Sequence, residues 1–164
     1  MQVSLHINDE KVVLDAEADD SLLTVLRREK YFKVKCGCEK GFCGNCTVLL
    51  NDKPVSSCKV PISLVRLERE REERIETLEY FKKNNEFYAD IQSGFKEAGM
   101  NLCGYCEAGK IFTAYWLIKT YPHPEIRNIQ NAIKHMDCCC TDRTTFTNGI
   151  LYAAAFNHAR MERS

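Results

Sequence analysis

Ten cysteines in a chain of 164 residues constrain the fold more than any other feature of this sequence. Residues 1–13 have neither the basic start nor the apolar run of a secretion signal. We therefore expect a cytoplasmic location. In this reducing compartment cysteines seldom form structural disulfides and more often bind metals or take part in redox chemistry. A disulfide framework is the lesser alternative, as is delivery to the periplasm together with a partner that bears a signal.

The first group of cysteines has the spacing C-x4-C-x2-C, and a fourth cysteine follows after eleven intervening residues. This spacing is typical of plant-type [2Fe–2S] sites, in which four soft thiolates hold two irons bridged by sulfide. A short loop can aim three thiolates inward only if its backbone turns tightly, and interleaved glycines permit this. The glycines are Gly37, Gly41 and Gly44, and the cysteines are Cys38, Cys43, Cys46 and Cys58.

The second group consists of a C-x2-C pair, Cys103 and Cys106, and a triplet that begins at Cys138 after 31 intervening residues. A lone C-x2-C pair is ambiguous between zinc, redox and iron chemistry. The pair follows the first predicted helix of the C-terminal half, and the triplet falls between the third and the fourth. In an up-down-up-down bundle the first and third loops lie at the same end, so we expect the two cysteine loops to meet.

Zinc is the alternative metal for both groups of cysteines. Structural zinc sites typically pair two C-x2-4-C knuckles, and neither group has that pattern. The spacings therefore favour iron–sulfur chemistry at both positions.

Hydrophobic periodicity divides the chain into two parts of different secondary structure. Alternating apolar residues in the first third predict strands around a short helix, capped by Asp20 or Ser21. Apolar residues at helical spacing predict four helices in the second half, the third of them with Pro124 in its first turn. Eight of the nine residues 66–74 are charged, which indicates a solvated linker more than a docking surface. We therefore predict two domains, residues 1–74 and 75–164.

Composition and the absence of common motifs exclude several classes of function. Lys plus Arg equals Asp plus Glu at 23 each, which argues against a nucleic-acid partner. The longest apolar run, residues 150–156, is far shorter than a membrane span of about 20 residues. No G-x-G-x-x-G, P-loop or nucleophile-elbow motif occurs, and the four histidines are isolated in sequence. The chain therefore shows no catalytic residue and no site for substrate, flavin or nicotinamide.

The residues around both cysteine groups extend into longer motifs. Residues 34–48 read V-K-x-G-C-x4-C-G-x-C-T-V, and residues 55–58 read V-x-S-C. Further on, residues 103–106 read C-G-Y-C and residues 138–141 read C-C-C-T. In these motifs, and in their order over residues 3–158, the chain resembles the iron–sulfur small subunit of the molybdenum hydroxylases, the xanthine dehydrogenase family.

The resemblance implies an α+β fold with one [2Fe–2S] cluster in each of two domains. The N-terminal domain would be a β-grasp ferredoxin-like domain, and the C-terminal domain a four-helix bundle. By position in the motifs, the first cluster would be bound by Cys38, Cys43, Cys46 and Cys58, and the second by Cys103, Cys106, Cys138 and Cys140. In the family the second cluster lies nearer the molybdenum cofactor and the first nearer the flavin.

The chain departs from the family pattern at two positions. Leu102 stands where the family usually has a glutamine that touches the pterin. Cys139 stands where the family has an arginine between the last two ligands, so a permanent charge is missing there. Because Thr141 fixes the register of the motif, we interpret Cys139 as a spacer, and Cys36 as a non-ligand as well.

The resemblance implies a non-catalytic electron-transfer subunit of an oxidoreductase. Its partners would be a large subunit that carries the molybdenum cofactor and a subunit that binds FAD, in a hetero-oligomer. Electrons would pass through the two clusters from the molybdenum site to the flavin. The main alternative is a free-standing two-cluster ferredoxin; a zinc-stabilised interaction module and an iron–sulfur redox sensor are further alternatives, although a sensor should have a basic effector face.

Overall fold

The computed structural model describes residues 1–65, 73–136, 138 and 140–164. The fold is α+β, as predicted, with a five-stranded sheet in the N-terminal part and a helical bundle in the C-terminal part. Most of the charged stretch 66–74, which the sequence predicts to be a linker, lies outside the described residues.

The sheet is built from two hairpins joined by a central strand. Strands β1 (Gln2–Ile7) and β2 (Glu10–Asp15) form the first antiparallel hairpin, and β3 (Thr47–Leu50) and β4 (Lys53–Ser56) form the second. Strand β5 (Arg74–Glu76) lies between them, parallel to β1 and antiparallel to β3. The resulting order β2-β1-β5-β3-β4 is that of the predicted β-grasp domain. The predicted domain division after residue 74 falls inside β5.

Both hairpins turn on a pair of residues in the left-handed backbone region. Asn8 and Asp9 have φ angles of 54° and 65°, and Asn51 and Asp52 have φ angles of 49° and 66°. Tight two-residue turns of this kind match the twist of the flanking strands, and Asn and Asp adopt the left-handed conformation more readily than other side chains. These two turns therefore close the two hairpins.

One face of the sheet is covered by a helix whose apolar side chains share a core with those of the strands. Helix α1 (Leu22–Arg28) begins at Ser21, whose hydroxyl accepts a hydrogen bond of 3.1 Å from the backbone N–H of Thr24. Ser21 is thus the cap, whereas the Asp20 carboxylate accepts from the backbone N–H of Glu17 instead. A short helix, α2 (Ile62–Val65), follows the second hairpin.

The C-terminal part contains the four predicted helices and one more. The additional helix is α3 (Leu78–Asn84), which the sequence analysis did not predict. The predicted four are α4 (Phe87–Glu97), α5 (Glu107–Thr120), α6 (Ile126–Ile133) and α7 (Arg143–Arg163). Pro124 lies before the cap of α6 and not in its first turn, because Glu125 is the N-cap residue.

Strand β3 connects the two hydrophobic cores. Because side chains alternate between the faces of a strand, Val48 is buried in the core beneath α1, whereas Leu49 is buried in the helical core. Helix α5 contacts both β3 and β4. The two parts of the chain therefore pack against each other, and the start of α5 lies beside the first cysteine loop.

No helix within the described residues is both long enough and apolar enough to cross a membrane.

Candidate iron–sulfur sites

The first cysteine loop, between α1 and β3, directs backbone N–H groups toward its own sulfur atoms. Cys38 Sγ accepts hydrogen bonds from the backbone N–H groups of Lys40 and Cys43, each at 3.4 Å. Cys43 Sγ accepts one from the backbone N–H of Cys38, also at 3.4 Å. Hydrogen bonds to the sulfurs are among the factors that set the potential of an iron–sulfur cluster, so the loop has donors in place to act on a bound cluster.

The other two cysteines of this group are brought together by the β3–β4 hairpin. Cys46 directly precedes β3, and Cys58 lies in the 3₁₀ turn that follows β4. Buried Ser57 ties the turn to the loop, because its hydroxyl donates a hydrogen bond of 2.7 Å to the carbonyl of Cys46. The Cys46 and Cys58 side chains consequently lie within hydrogen-bonding contact.

The thiols of the first group have opposite electrostatic environments. The backbone N–H groups of Lys40, Cys43 and Phe42 lower the pKa of Cys38 to about 6, which favours its thiolate. Burial, followed by the contact with Cys46, raises the pKa of Cys58 to about 11. A coordinated metal ion deprotonates a thiol outright, so the buried cysteine can still serve as a ligand.

The backbone of the first loop lies close to the sulfur of Cys43 at Gly37. A Cβ atom added to Gly37 would lie 2.9 Å from Cys43 Sγ and 2.8 Å from the side-chain nitrogen of Asn45. Any larger residue at position 37 would therefore displace a sulfur of the tetrad. Gly44 adopts a φ of 70°, a conformation that favours glycine, within the turn that separates Cys43 from Cys46.

The second group of cysteines meets at one end of the helical bundle, as its topology predicts. Cys106 caps the start of α5, and the loop between α6 and α7 supplies Cys138 and Cys140. Cys138 Sγ lies 3.6 Å from Cys106 Sγ and 3.3 Å from Cys140 Sγ. Cys103 completes the group, since its backbone N–H and its side chain both hydrogen-bond to the sulfur of Cys140.

The second group shows the same pairing of an activated thiol with a buried one. The backbone N–H of Cys103, followed by the hydroxyl of Thr141 and the thiol of Cys138, lowers the pKa of Cys140 to about 6. Burial, and then the contact with Cys138, raises the pKa of Cys106 to about 11. Four soft sulfur ligands with backbone donors fit an iron–sulfur cluster here as well. Among the described residues, no three or more His, Cys, Asp or Glu side chains are placed so that they could hold one single metal ion.

A lysine at the second group is a functional candidate that the sequence analysis missed. Lys110 is only 1% exposed, and its Nζ lies 2.8 Å from Cys138 Sγ and 3.9 Å from Cys140 Sγ. The available signal was its position one helical turn after Cys106, on the side of α5 that faces the cysteines. A lysine is rarely buried unless it is paired, so the residue type alone predicts a position at the surface.

The residues at which the chain departs from the motif pattern are placed as follows. Cys36 is exposed, and its thiol donates a hydrogen bond of 2.9 Å to the carboxylate of Glu39. Leu102 is half-buried and packs against the helical core. Cys139, interpreted above as a spacer, lies outside the described residues.

A backbone contact joins the two cysteine groups across the domains. The N–H of Gly109 donates a hydrogen bond of 3.0 Å to the carbonyl of Gly44. The ammonium of Lys35 also donates to the carbonyl of Gly104, between the paired cysteines of the second group. The two sites are therefore neighbours in the folded chain.

Comparison with known proteins agrees with this arrangement. Residues 5–78 match the family model of a 2Fe-2S iron-sulfur cluster binding domain, and residues 77–151 match that of a [2Fe-2S] binding domain. The small FeS subunit of nicotinate dehydrogenase from Eubacterium barkeri is 33% identical over 152 residues, covering 92% of this chain and 93% of that protein. The chain belongs to the family of small iron–sulfur subunits of the molybdenum hydroxylases. The resemblance inferred from the motifs is thereby confirmed.

Two further comparisons extend the family relationship. Isoquinoline 1-oxidoreductase subunit alpha from Brevundimonas diminuta is 33% identical over 129 residues, covering 78% of this chain and 80% of that protein. A chain of the crystal structure of quinoline 2-oxidoreductase from Pseudomonas putida 86 superposes with a TM-score of 0.78 at 28% identity. That match covers 98% of this chain and 96% of the other. As a member of this family, the chain has two domains of the type that binds [2Fe–2S] clusters.

Proposed function

We propose that this chain is the electron-transfer subunit of a molybdenum hydroxylase. In this role it relays electrons from a subunit that carries the molybdenum cofactor to a subunit that binds FAD, by means of two [2Fe–2S] clusters. The observation that carries the proposal is the convergence of two separate cysteine tetrads, one in each part of a chain that belongs to this family. The domains would divide just after β5, because that strand pairs with β1 and β3 of the sheet.

The first cluster would be held by the sheet domain. Its ligands would be Cys38, Cys43, Cys46 and Cys58. The backbone N–H groups of Cys38 and Cys43 support this assignment, because each donates a hydrogen bond to the sulfur of the other cysteine and so stabilises negative charge there. The buried contact of Ser57 with Cys46 holds the last ligand next to the loop.

The second cluster would be held at the end of the helical bundle. Its ligands would be Cys103, Cys106, Cys138 and Cys140. The sulfur distances of 3.6 Å and 3.3 Å around Cys138 support this assignment. Buried Cys106 at the start of α5 excludes water from the side of the site that faces the core.

The division of chemistry between cofactor and protein follows from this donor set. When bound, each cluster supplies one-electron redox chemistry. The chain's own residues would position the clusters and donate hydrogen bonds to their ligand sulfurs. Substrate binding and the hydroxylation itself would belong to the subunit that carries the molybdenum cofactor.

The relatives support assembly with other subunits. The related proteins named above are a small FeS subunit and a subunit alpha, so they function as parts of larger enzymes. This chain would likewise form a hetero-oligomer, with the molybdenum-cofactor and FAD-binding subunits as its specific partners. We also propose a cytoplasmic location, because thiols that bind iron persist in a reducing compartment.

The test is the metal and flavin content of the native complex, purified anaerobically without separation of its subunits. The proposal expects about four irons to one molybdenum and one flavin per chain, because two [2Fe–2S] clusters contain four irons. Four irons without molybdenum or flavin would instead identify a free-standing two-cluster ferredoxin. Zinc in place of iron would contradict both functions.

A further inference from the structure

Lys110 is a fully buried cation whose charge is directed at the second cysteine group. Its side chain leaves α5 one turn after Cys106 and reaches the loop between α6 and α7. There its ammonium lies 2.8 Å from Cys138 Sγ and 3.9 Å from Cys140 Sγ. The same ammonium lies 5.7 Å from the centre of the Phe146 ring, which also favours a cation.

The nearest acidic residue along the helix does not neutralise this lysine. Glu107 lies in the first turn of α5, and its carboxylate pairs at 2.6 Å with Lys82 of α3. A buried charge is costly unless it is paired and hydrogen-bonded. At this position the sulfurs of the second group provide the pairing, so the lysine and the site depend on each other.

We propose that Lys110 sets the reduction potential of the second cluster by placing a permanent positive charge and a hydrogen-bond donor at its ligand sulfurs. The proposal rests on the proposed function in one respect, namely that Cys138 and Cys140 hold that cluster. Lys110 is a positioning and tuning residue that acts through these ligands.

The direction of the effect follows from electrostatics. Two ferric ions, two sulfides and four thiolates sum to a dianion, and the gain of one electron makes this a trianion. A nearby cation stabilises the more negative state more strongly, and the effect is larger in a buried site of low dielectric. Net charge and hydrogen bonds to the sulfurs are among the factors that set cluster potentials. Lys110 therefore makes the second cluster easier to reduce.

The experiment is a redox titration of the intact complex, in which the reduced-state EPR signals of the two clusters are followed separately. In Lys110→Met, the one-electron equilibrium constant of the second cluster should shift at least tenfold toward the oxidised form, which corresponds to about 59 mV. The potential of the first cluster should shift less, because Lys110 contacts sulfurs of the second group only among the described residues. Lys110→Arg should keep most of the wild-type potential, because the charge is retained.

Lys82→Met is the matched control. Lys82 belongs to the same half of the chain and is partly buried, but its ammonium pairs with Glu107 and not with a sulfur. Its removal should leave the second potential closer to that of the wild type than the removal of Lys110 does. Equal shifts in the two variants would show a general charge effect and would overturn the proposal.

Two further outcomes separate this proposal from the proposed function. A wild-type complex that contains both clusters, but whose Lys110→Met variant keeps its potential, would overturn the role of Lys110 alone. A wild-type complex that lacks the second cluster would overturn the ligand assignment as well. If the Lys110→Met variant fails to bind the second cluster, Lys110→Gln is measured instead, because glutamine keeps a hydrogen-bond donor but not the charge. A lowered potential of the second cluster in Lys110→Gln supports the proposal. An unchanged potential overturns it.

Discussion

The backbone N–H of Gly109 donates a hydrogen bond of 3.0 Å to the carbonyl of Gly44, so the two cysteine groups are joined backbone to backbone. Gly44 lies between two cysteines of the first group, and Gly109 lies three residues after Cys106 of the second. Both residues lack a side chain at the point of contact. This close approach brings the domain of the sheet and the start of α5 within reach of each other.

Gly109→Ala should therefore weaken the contact between the domains. The added Cβ would lie 2.8 Å from the Cα and 3.0 Å from the carbonyl oxygen of Gly44, and backbone atoms cannot rotate away. We expect a loss of about 1–3 kcal/mol in the free energy of unfolding, measured by denaturant titration. Thr120→Ala, at the exposed end of the same helix, is the control. Helix propensity alone would make Gly109→Ala stabilising, so a stabilised variant would contradict the steric argument.

Gly94→Ala tests the packing that brings the loops of the helical bundle to one end. A Cβ at Gly94 of α4 would lie 2.3 Å from the backbone nitrogen of Ala153 in α7. Because the two helix backbones would have to separate, we expect a loss of about 3 kcal/mol or more in unfolding free energy. Exposed Ser93, next to it on α4, gives the control Ser93→Ala. A change of similar size in both variants would mean that α4 and α7 do not cross in backbone contact at Gly94.

The cysteine motifs and the hydrophobic periodicity were sufficient to predict a sheet-containing part followed by a helical bundle. They also predicted that the two cysteine loops of the bundle lie at the same end. Short elements were not predictable in this way. Helix α3 has seven residues, and it is stabilised by Phe81, whose ring packs edge-on against Phe112 at 5.3 Å and Tyr115 at 5.0 Å. Such contacts come from residues distant in sequence, so the local pattern of α3 carries little signal.

Lys110 was not predictable as part of the second site for a related reason. A charged residue on a helix predicts solvent exposure, and only the arrival of the loop between α6 and α7 makes this position buried. Likewise, Asp20 and Ser21 were equivalent candidates for the cap of α1. The fold distinguishes them because Asp20 is held by Arg28 and the backbone of Glu17.

Glu76→Gln should raise stability at neutral pH. Burial, followed by the charge of Asp52, raises the pKa of the Glu76 carboxyl above its ordinary value of 4.5. A raised pKa in the folded state means that the protonated form is favoured, so this contribution to stability is present below pH 4.5 and is lost as the pH rises through the folded value. The gain of the variant in melting temperature should therefore be larger at pH 7 than near pH 4.5.

The control for the Glu76 prediction is Glu29→Gln. Glu29 is exposed at the end of α1, where its backbone N–H and not its carboxylate bonds to the last turn of the helix, so its replacement reports the effect of removing one negative charge from the surface. If the two variants change the melting temperature in parallel across this range of pH, the burial of Glu76 does not govern its titration.

Single replacements of the cysteines should remove one cluster at a time. Cys43→Ser should abolish the reduced-state EPR signal of the first cluster, and Cys106→Ser that of the second, because each removes one of four thiolates. Iron content should fall from about four to about two per chain in either variant, since each cluster contains two irons. Cys36→Ser is the matched control: its exposed thiol hydrogen-bonds to Glu39, and both signals should persist. Either ligand variant that retained both EPR signals would show that its cysteine is not a ligand, and loss of a signal in Cys36→Ser would reassign the first tetrad.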